Sequence, residues 1–315
     1  MKIFRGIPTL KNRIPCVLTI GNFDGVHRGH QELLKRVRAA SNAYGLEVCV
    51  MTFEPHPREF FNKEAAPARI STLRDKLEAL HFHGVDRVII KHFNKKFANQ
   101  LPKDFVENEI VNSLQARWII IGDDFLYGAN RKGTFDTLKI SGKQYGFEVE
   151  QMNSFMDSNG RRISSSSIRE SLENGDLDAT AIALGHCYTI SGHVSHGLKL
   201  GRNLGFPTIN IRITHKRLAL TGVFVVQVHN LVDNQPLPGV ASLGLRPTVE
   251  DSSNILLETH LLDWNGNAYG KVVRIEFLKK LRDGEKFNDL ETLSRAISRD
   301  TEIARKYLAE HAKNY

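Results

Sequence analysis

Cysteine is scarce in this chain. Three residues carry it, Cys16, Cys49 and Cys187, at spacings that no metal site uses. Cys16 and Cys49 lie in apolar runs that read as buried strands. So odd and sparse a set excludes a disulfide framework and points to a reducing compartment. Long hydrophobic runs are absent, and the N-terminus lacks a signal-peptide core, so the sequence predicts a cytoplasmic protein with no membrane partner. Internal repeats and low-complexity segments are missing too, which excludes a repeat architecture. Thirteen histidines raise a metal-enzyme reading, but there is no HExxH, and His193 and His196 have no third ligand spaced to help them. Acidic residues are the minority charge, with a formal net charge of +8 and a pI of about 9.3. The basic residues are dispersed and no RNA-binding aromatic motif occurs, so the charge fits phosphate handling and no nucleic-acid partner is expected. No oligomeric state is read from the sequence.

What is present suits two ordinary soluble domains: 315 residues, 41% hydrophobic and 25% charged. The first half alternates strand and helix. Strands are predicted over 17–20, 46–53, 87–91, 118–121 and 147–151. Helices fall at 32–44, 73–83, 105–114 and 134–145, three of them stopped by Gly45, Gly84 and Gly146. Short, almost wholly apolar strands between amphipathic helices imply a parallel sheet covered on both faces. Such sheets bind ligands at the carboxyl ends of their strands. Three polar clusters sit at such ends: GNFDGVHRGH (21–30), TFEPHP (52–57) and GDDFLYG (122–128). From about Tyr188 the rhythm changes to six short β runs separated by Gly, Pro and Asn turns, an antiparallel sheet or barrel, followed by a helix from Asp289 to about Glu310. The boundary is placed at 184/185, giving domains 1–184 and 185–315.

His27-Arg28-Gly29-His30 opens a helix whose first N–H groups have no intrahelical partners and whose dipole favours an anion. Gly29 lets a phosphate approach the backbone. Two imidazoles three apart in a first turn can point the same way and donate to the charge that grows on a pyrophosphate leaving group. A helix cap or a packed turn is the structural alternative. Asp24 is a turn residue, a partner that orients a histidine, or a group that meets magnesium. The serines of RISSSSIRESLENG (162–175) read as a helix N-cap, and their hydroxyls and N–H groups form a second phosphate cradle. Arg169 is expected in that first turn, where the dipole disfavours a cation unless an anion is present.

In the second half, GLKLGRNLGFPTIN (197–210) has Gly197, Gly201 and Gly205 each four apart. It lacks the Gly-Lys-Ser/Thr ending of a P-loop, and it precedes a strand rather than a helix. A loop that wraps phosphates with backbone N–H groups fits, and a long surface turn is the alternative. Thr208 and Asn210 alternate along a strand and so face one side, where a hydroxyl and an amide can bind hydrated Mg²⁺ with phosphates. Glu258 is the one acid on an apolar strand. Buried unpaired, its pKa rises and it suits a general base; on a one-sided strand it faces solvent.

The order Gly21–His30, TFEPHP, RISTLRDK (69–76), GDDFLYGANRKG and ISSSSIR resembles the adenylyltransferase module of bacterial bifunctional riboflavin kinase/FAD synthetases, itself similar to the HxGH nucleotidylyltransferases. The resemblance implies an α/β Rossmann-like nucleotidylyltransferase domain that transfers AMP from ATP to FMN, releasing pyrophosphate by direct attack. Carried over, Gly21, Asn22, Phe23, Asp24, His27, Gly29, His30 and Asp123 lie about the ATP, with Ser165, Ser166 and Arg169 holding the triphosphate from the other side. Phe53, His56, Pro57, Phe125 and Arg131 fall where the flavin would lie. Ser166 stands where the family has threonine, and Thr134 where an acid is common.

GRNLGFPTIN, GVASLGLRPTV (239–249), LETHLLD, YGK (269–271) and FLKKLRDGEKF resemble the riboflavin kinase module of the same family, a six-stranded antiparallel β-barrel with a C-terminal helix. This implies phosphorylation of the ribityl hydroxyl by Mg·ATP. The loop residues Gly197, Lys199, Gly201, Gly205 and Pro207 would hold ATP, Thr208 and Asn210 the metal and phosphates, and Glu258 would accept the ribityl proton. Ile209, Ser242 and Ala296 stand where the family has alanine, asparagine and glutamine. A flavin or nucleotide sensor that binds without turnover is the alternative class. The intact set His27, His30, Thr208, Asn210 and Glu258 argues against it. The substrates expected are riboflavin, FMN and ATP.

Overall fold

The computed structural model describes residues 1–197, 204–213, 217–233, 235–245 and 255–311. They form two compact units. The first comprises Met1–Pro67 with Lys76–Ser164, and the second Ala68–Asp75 with Ser165–Tyr315.

The first unit is built on a six-stranded sheet: β1 (Lys2–Arg5), β2 (Cys16–Ile20), β3 (Glu47–Glu54), β4 (Arg87–His92), β5 (Ala116–Gly122) and β6 (Glu148–Met152), ordered β1-β4-β3-β2-β5-β6. Every pairing is parallel. All five residues of β2 are buried, as a strand covered on both faces requires. Helix α1 (Arg28–Tyr44) links β2 to β3 and ends on Gly45, whose φ of 64° supplies the left-handed stop. The helix expected at 105–114 has a wider bore than an α-helix: after an α-helical turn at Pro102–Phe105, residues Val106–Ser113 wind as a π-helix. Edge strand β1 has no counterpart among the predicted elements. Its four residues are mostly exposed and lack the apolar run that marks the others.

The strand order reverses beside β2: β3 and β4 follow on one side, β5 and β6 on the other. Ligand sites of open parallel sheets lie at such a switch point, outside the carboxyl ends. Because β3, β2 and β5 are neighbours and parallel, the three polar clusters that follow them share one edge of the sheet.

The second unit is a closed barrel of β7 (Thr189–Ser195), β8 (Thr208–Ile213), β9 (Gly222–Val232), β10 (Gln235–Leu245), β11 (Ile255–Leu261) and β12 (Val272–Arg282), ordered β10-β11-β8-β7-β12-β9 and antiparallel throughout. Its core contains Ile209, Ile211, Phe224, Val226, Leu243, Leu257, Ile275 and Phe277. The C-terminal helix, Leu290–His311, packs Ala304, Tyr307 and Leu308 on Val223, Val225, Val240 and Leu278. Two two-pronged ion pairs pin it, Arg282 to the buried Asp300 and Arg305 to Asp263. Helices α2 (Ser165–Glu173) and α3 (Leu177–Leu184) belong to this unit by contact. They bury Ile168, Leu172, Leu177 and Leu184 in the barrel's core cluster. The rhythm of the sequence marks 184/185, where the strands begin; the packing divides the chain at 164/165.

Candidate active sites

The turn between β2 and α1 is forced. Phe23 and Val26 have φ of 50° and 40°. That region is costly for a β-branched residue, of order 1–3 kcal/mol, and persists only where surrounding structure over-determines it. His27 is the N-cap of α1, and its side chain makes no cap hydrogen bond to the first N–H groups. The His27 and His30 rings stack, with centroids 3.8 Å apart and planes at 23°, and Phe23 lies 4.9 Å from His30. A Cβ on Gly29 would stand 3.2 Å from His27 Nδ1, so the missing side chain makes room for the imidazole. Burial holds the His30 pKa well below the ordinary histidine value, with the charges of His27 and Lys76 adding to it. His30 Nδ1 and Asn22 Oδ1 are buried without a hydrogen-bond partner among the described residues. Asp24 is buried in the same turn.

The other expected residues of this unit are placed as follows. Asp123 follows β5, and its Oδ2 accepts from Ser154 N at 2.9 Å and Ser154 Oγ at 2.6 Å. Those bonds, with Arg162 nearby, hold its carboxyl below the usual range. His56 caps the short helix Pro57–Phe61: its Nδ1 accepts from Arg58 N while Glu59 accepts from His56 N. Arg131 is exposed in the turn after Gly128. That loop is closed by Tyr127, whose backbone exchanges hydrogen bonds with Gly133 at 3.0 and 2.8 Å. Thr134 is the N-cap of the following helix, Phe135–Tyr145, so a hydroxyl serves where the family often has an acid.

Phe53 and Phe125 belong to a larger ring system than the motifs suggest. Phe60, Phe93, Phe53, Phe97, Phe105, Tyr127 and Phe125 follow one another at centroid distances of 5.4–6.0 Å. Phe60, Phe93, Phe97 and Tyr127 are missed by motif reading; their density just past the ends of β3, β4 and β5 is the signal that marks them.

Ser165, Ser166 and Arg169 lie on α2, in the second unit. Because α2 starts at Ser165, Arg169 is its fifth residue, past the first turn where it was expected. Its Nε donates to the Ala68 carbonyl at 2.5 Å.

In the barrel, register assembles a polar row. Ser195 opposes Asn210, Asn210 opposes Glu258, and Glu258 opposes Ser242, so four strands contribute one residue each to one face. The next row holds Thr208 and His260. Between the two rows lie Ile209 and Thr259, which are buried, as is Leu257 on the far side of Glu258. Burial alternates strictly along β11, and Glu258 lies on its half-buried side rather than among the leucines of the core. Ile209, the alanine of the family, faces the core, away from Thr208 and Asn210. Asn210 is 4% exposed, and its Oδ1 has no partner among the described residues. Gly197 lies against it: a Cβ there would be 2.5 Å from Asn210 Nδ2. A buried amide oxygen without a partner, next to a hydroxyl, is a donor set that suits a hard divalent cation. Gly205 and Pro207 precede β8, whereas Lys199, Gly201 and residues 246–249 lie outside the described residues.

A parallel-sheet unit followed by a closed antiparallel barrel makes this a two-module protein. Family models agree: one for FAD synthetase matches residues 9–167, and one for riboflavin kinase matches residues 184–308. The bifunctional riboflavin kinase/FMN adenylyltransferase of Pseudomonas fluorescens is 42% identical over 313 residues, 99% of both chains. That of Haemophilus influenzae is 43% identical over 309 residues, 98% of this chain and 99% of the other. A crystal structure described as a macrolide-efflux protein from Streptococcus pneumoniae matches with a TM-score of 0.75 at 27% identity, covering 96% of this chain and 98% of that one. The chain belongs to the bifunctional riboflavin kinase/FMN adenylyltransferase family, and it is an enzyme with a riboflavin kinase and an FAD synthetase domain.

Proposed function

We propose that the barrel phosphorylates riboflavin at the Thr208–Asn210–Glu258 face, and that the parallel-sheet unit adenylylates the resulting FMN at the His27–His30 turn. In the kinase reaction Glu258 accepts the ribityl hydroxyl proton as that oxygen attacks the γ-phosphorus of ATP, and ADP leaves. The row that sets Glu258 beside Asn210 carries this reading, since a base must lie within reach of the nucleophile and the phosphates. Thr208 and the Oδ1 of Asn210, which has no partner among the described residues, would hold Mg²⁺ with the ATP phosphates. A bound Mg²⁺ neutralises phosphate charge there.

In the second reaction an FMN phosphate oxygen attacks the α-phosphorus of ATP, and pyrophosphate leaves. His27, His30 and the first N–H groups of α1 stabilise the leaving charge, which is electrostatic work by donors already fixed in place. Phe53, Phe125 and the rings continuous with them offer stacking surface for the flavin. No helix among the described residues is long and apolar enough to cross a membrane, and all three cysteines are free thiols. The cytoplasm is the compartment we assign.

Two variants test the division of labour. His27→Ala with His30→Ala should lower FAD formation from FMN by at least ~10²-fold, the ordinary cost of an oxyanion-type donor, with FMN formation intact. Glu258→Gln should do the converse, with a kinase loss of about 10²–10⁴-fold. Chromatographic assay of FMN and FAD reads both. Either variant affecting the other reaction, or sparing its own, refutes the assignment.

A further inference from the structure

His260 stands beside the kinase face without a role in the chemistry above. It opposes Thr208 in register, one row along from the Asn210–Glu258 pair. Its Nδ1 lies 2.9 Å from the Pro207 carbonyl oxygen. A carbonyl only accepts, so Nδ1 carries the proton in that bond. The imidazole also meets Phe206 edge to face, with centroids 5.4 Å apart. Phe206 and Pro207 are the residues by which the chain enters β8, and Thr208 is the next one along. Proline has no N–H, so its carbonyl is the backbone group of Pro207 that a side chain can hold by a hydrogen bond.

We infer that His260 is a positioning residue for the nucleotide side of the kinase reaction. By holding the Pro207 carbonyl and the Phe206 ring, it fixes the entry to β8 and thereby the direction of the Thr208 hydroxyl relative to Asn210. It touches neither the ribityl group nor the phosphates. The inference rests on the assignment of Thr208 and Asn210 to Mg·ATP.

Two substitutions separate this role from simple packing. The amide nitrogen of asparagine falls about where Nδ1 lies, whereas that of glutamine falls about where Nε2 lies. His260→Gln should therefore lose the bond to Pro207 and His260→Asn should keep it. For His260→Gln the expected result is a roughly 5–10-fold rise in KM for ATP, the worth of one neutral hydrogen bond. Its kinase kcat and KM for riboflavin should stay within about twofold. His260→Asn should return KM for ATP to within about twofold of the parent. FAD formation from added FMN should be unchanged in both. Thr208→Ala is assayed alongside. If it leaves KM for ATP unaltered, the Mg·ATP assignment itself fails. If it raises that KM while His260→Gln does not, or while asparagine fails to rescue, the positioning role fails alone. Equal rises in both substrates' KM values would mean general loss of structure and would also overturn it.

Discussion

A single methyl group at Gly197 should disable the kinase without unfolding the barrel. Built on the existing backbone, that carbon would stand 2.5 Å from Asn210 Nδ2, 2.8 Å from Cγ and 2.9 Å from Oδ1. Ordinary contact distances are about 3.5–4.0 Å, so the amide must move by roughly an ångström. Asn210 is buried, so it cannot swing into open solvent. Overpacking of this kind costs typically 1–3 kcal/mol, and where the strain is relieved by displacing Asn210 that cost falls on nucleotide use, about 5–150-fold in kinase kcat/KM for ATP. Gly197 is not among the glycines with positive φ, so alanine brings no backbone strain of its own. Thermal denaturation of Gly197→Ala should lie close to that of the parent, and FAD formation from added FMN should be normal. An enzyme whose ATP kinetics match the parent would refute the reasoning, because Asn210 would then have room that the structure denies it.

His30 offers a test by proton counting. Its pKa is depressed in the folded protein, so it is neutral near pH 7, and the stability it contributes is present above the ordinary histidine value of about 6.5 and is lost as pH falls below it. Phosphates placed beside it must raise that pKa, so ATP binding should take up a proton that a His30→Asn variant does not. Calorimetry in two buffers of different ionisation enthalpy measures the difference, and identical proton counts would place the triphosphate elsewhere. A second test follows from the packing of α2 and α3: a fragment 165–315 should fold, phosphorylate riboflavin and melt higher than a fragment 185–315, which lacks Ile168, Leu172, Leu177 and Leu184 from its core. Equal melting temperatures would show those helices to be ornamental.

Elements whose apolar period is strong were legible from the residues. The buried strands β2, β3 and β5 and the six β runs of the barrel needed only periodicity and turn residues, and the polar clusters after β2, β3 and β5 followed from strand direction. What stayed hidden depends on partners far along the chain. Arg69 and Ile70 look like a loop leading into the helix that contains Asp75, yet Tyr188 donates its hydroxyl to the Ile70 carbonyl, 118 residues away, and the segment Ala68–Asp75 belongs to the barrel unit. The face of Glu258 was undecidable from β11 alone, because leucines flank it on both sides. Only the register with Asn210 and Ser242 selects the polar side. Arg169 was misplaced by a turn because four consecutive serines offer several equivalent caps, and the helix starts at Ser165.

Glycine at Gly29 and Gly197 answers a need that differs from the usual one. Most glycines singled out in a sequence are there because φ is positive; neither of these is in that region. Each lies against a polar side chain that the proposed chemistry uses, His27 in one unit and Asn210 in the other. Removing the Cβ lets that side chain rest on the backbone itself; at Asn210, Nδ2 still donates to the Thr208 carbonyl at 3.5 Å, while Oδ1 has no partner among the described residues. The two positions differ in stringency. At Gly29 a Cβ would meet the imidazole at 3.2 Å, a distance that a few tenths of an ångström of movement relieves. At Gly197 the approach to the amide is 2.5 Å, and no such adjustment suffices. Among the described residues Asn210 Oδ1 is thus left uncommitted, and burying such a group unpaired costs about 1–3 kcal/mol. On the proposed assignment of Mg·ATP to this face, the nucleotide or its metal would supply the missing partner and recover that penalty.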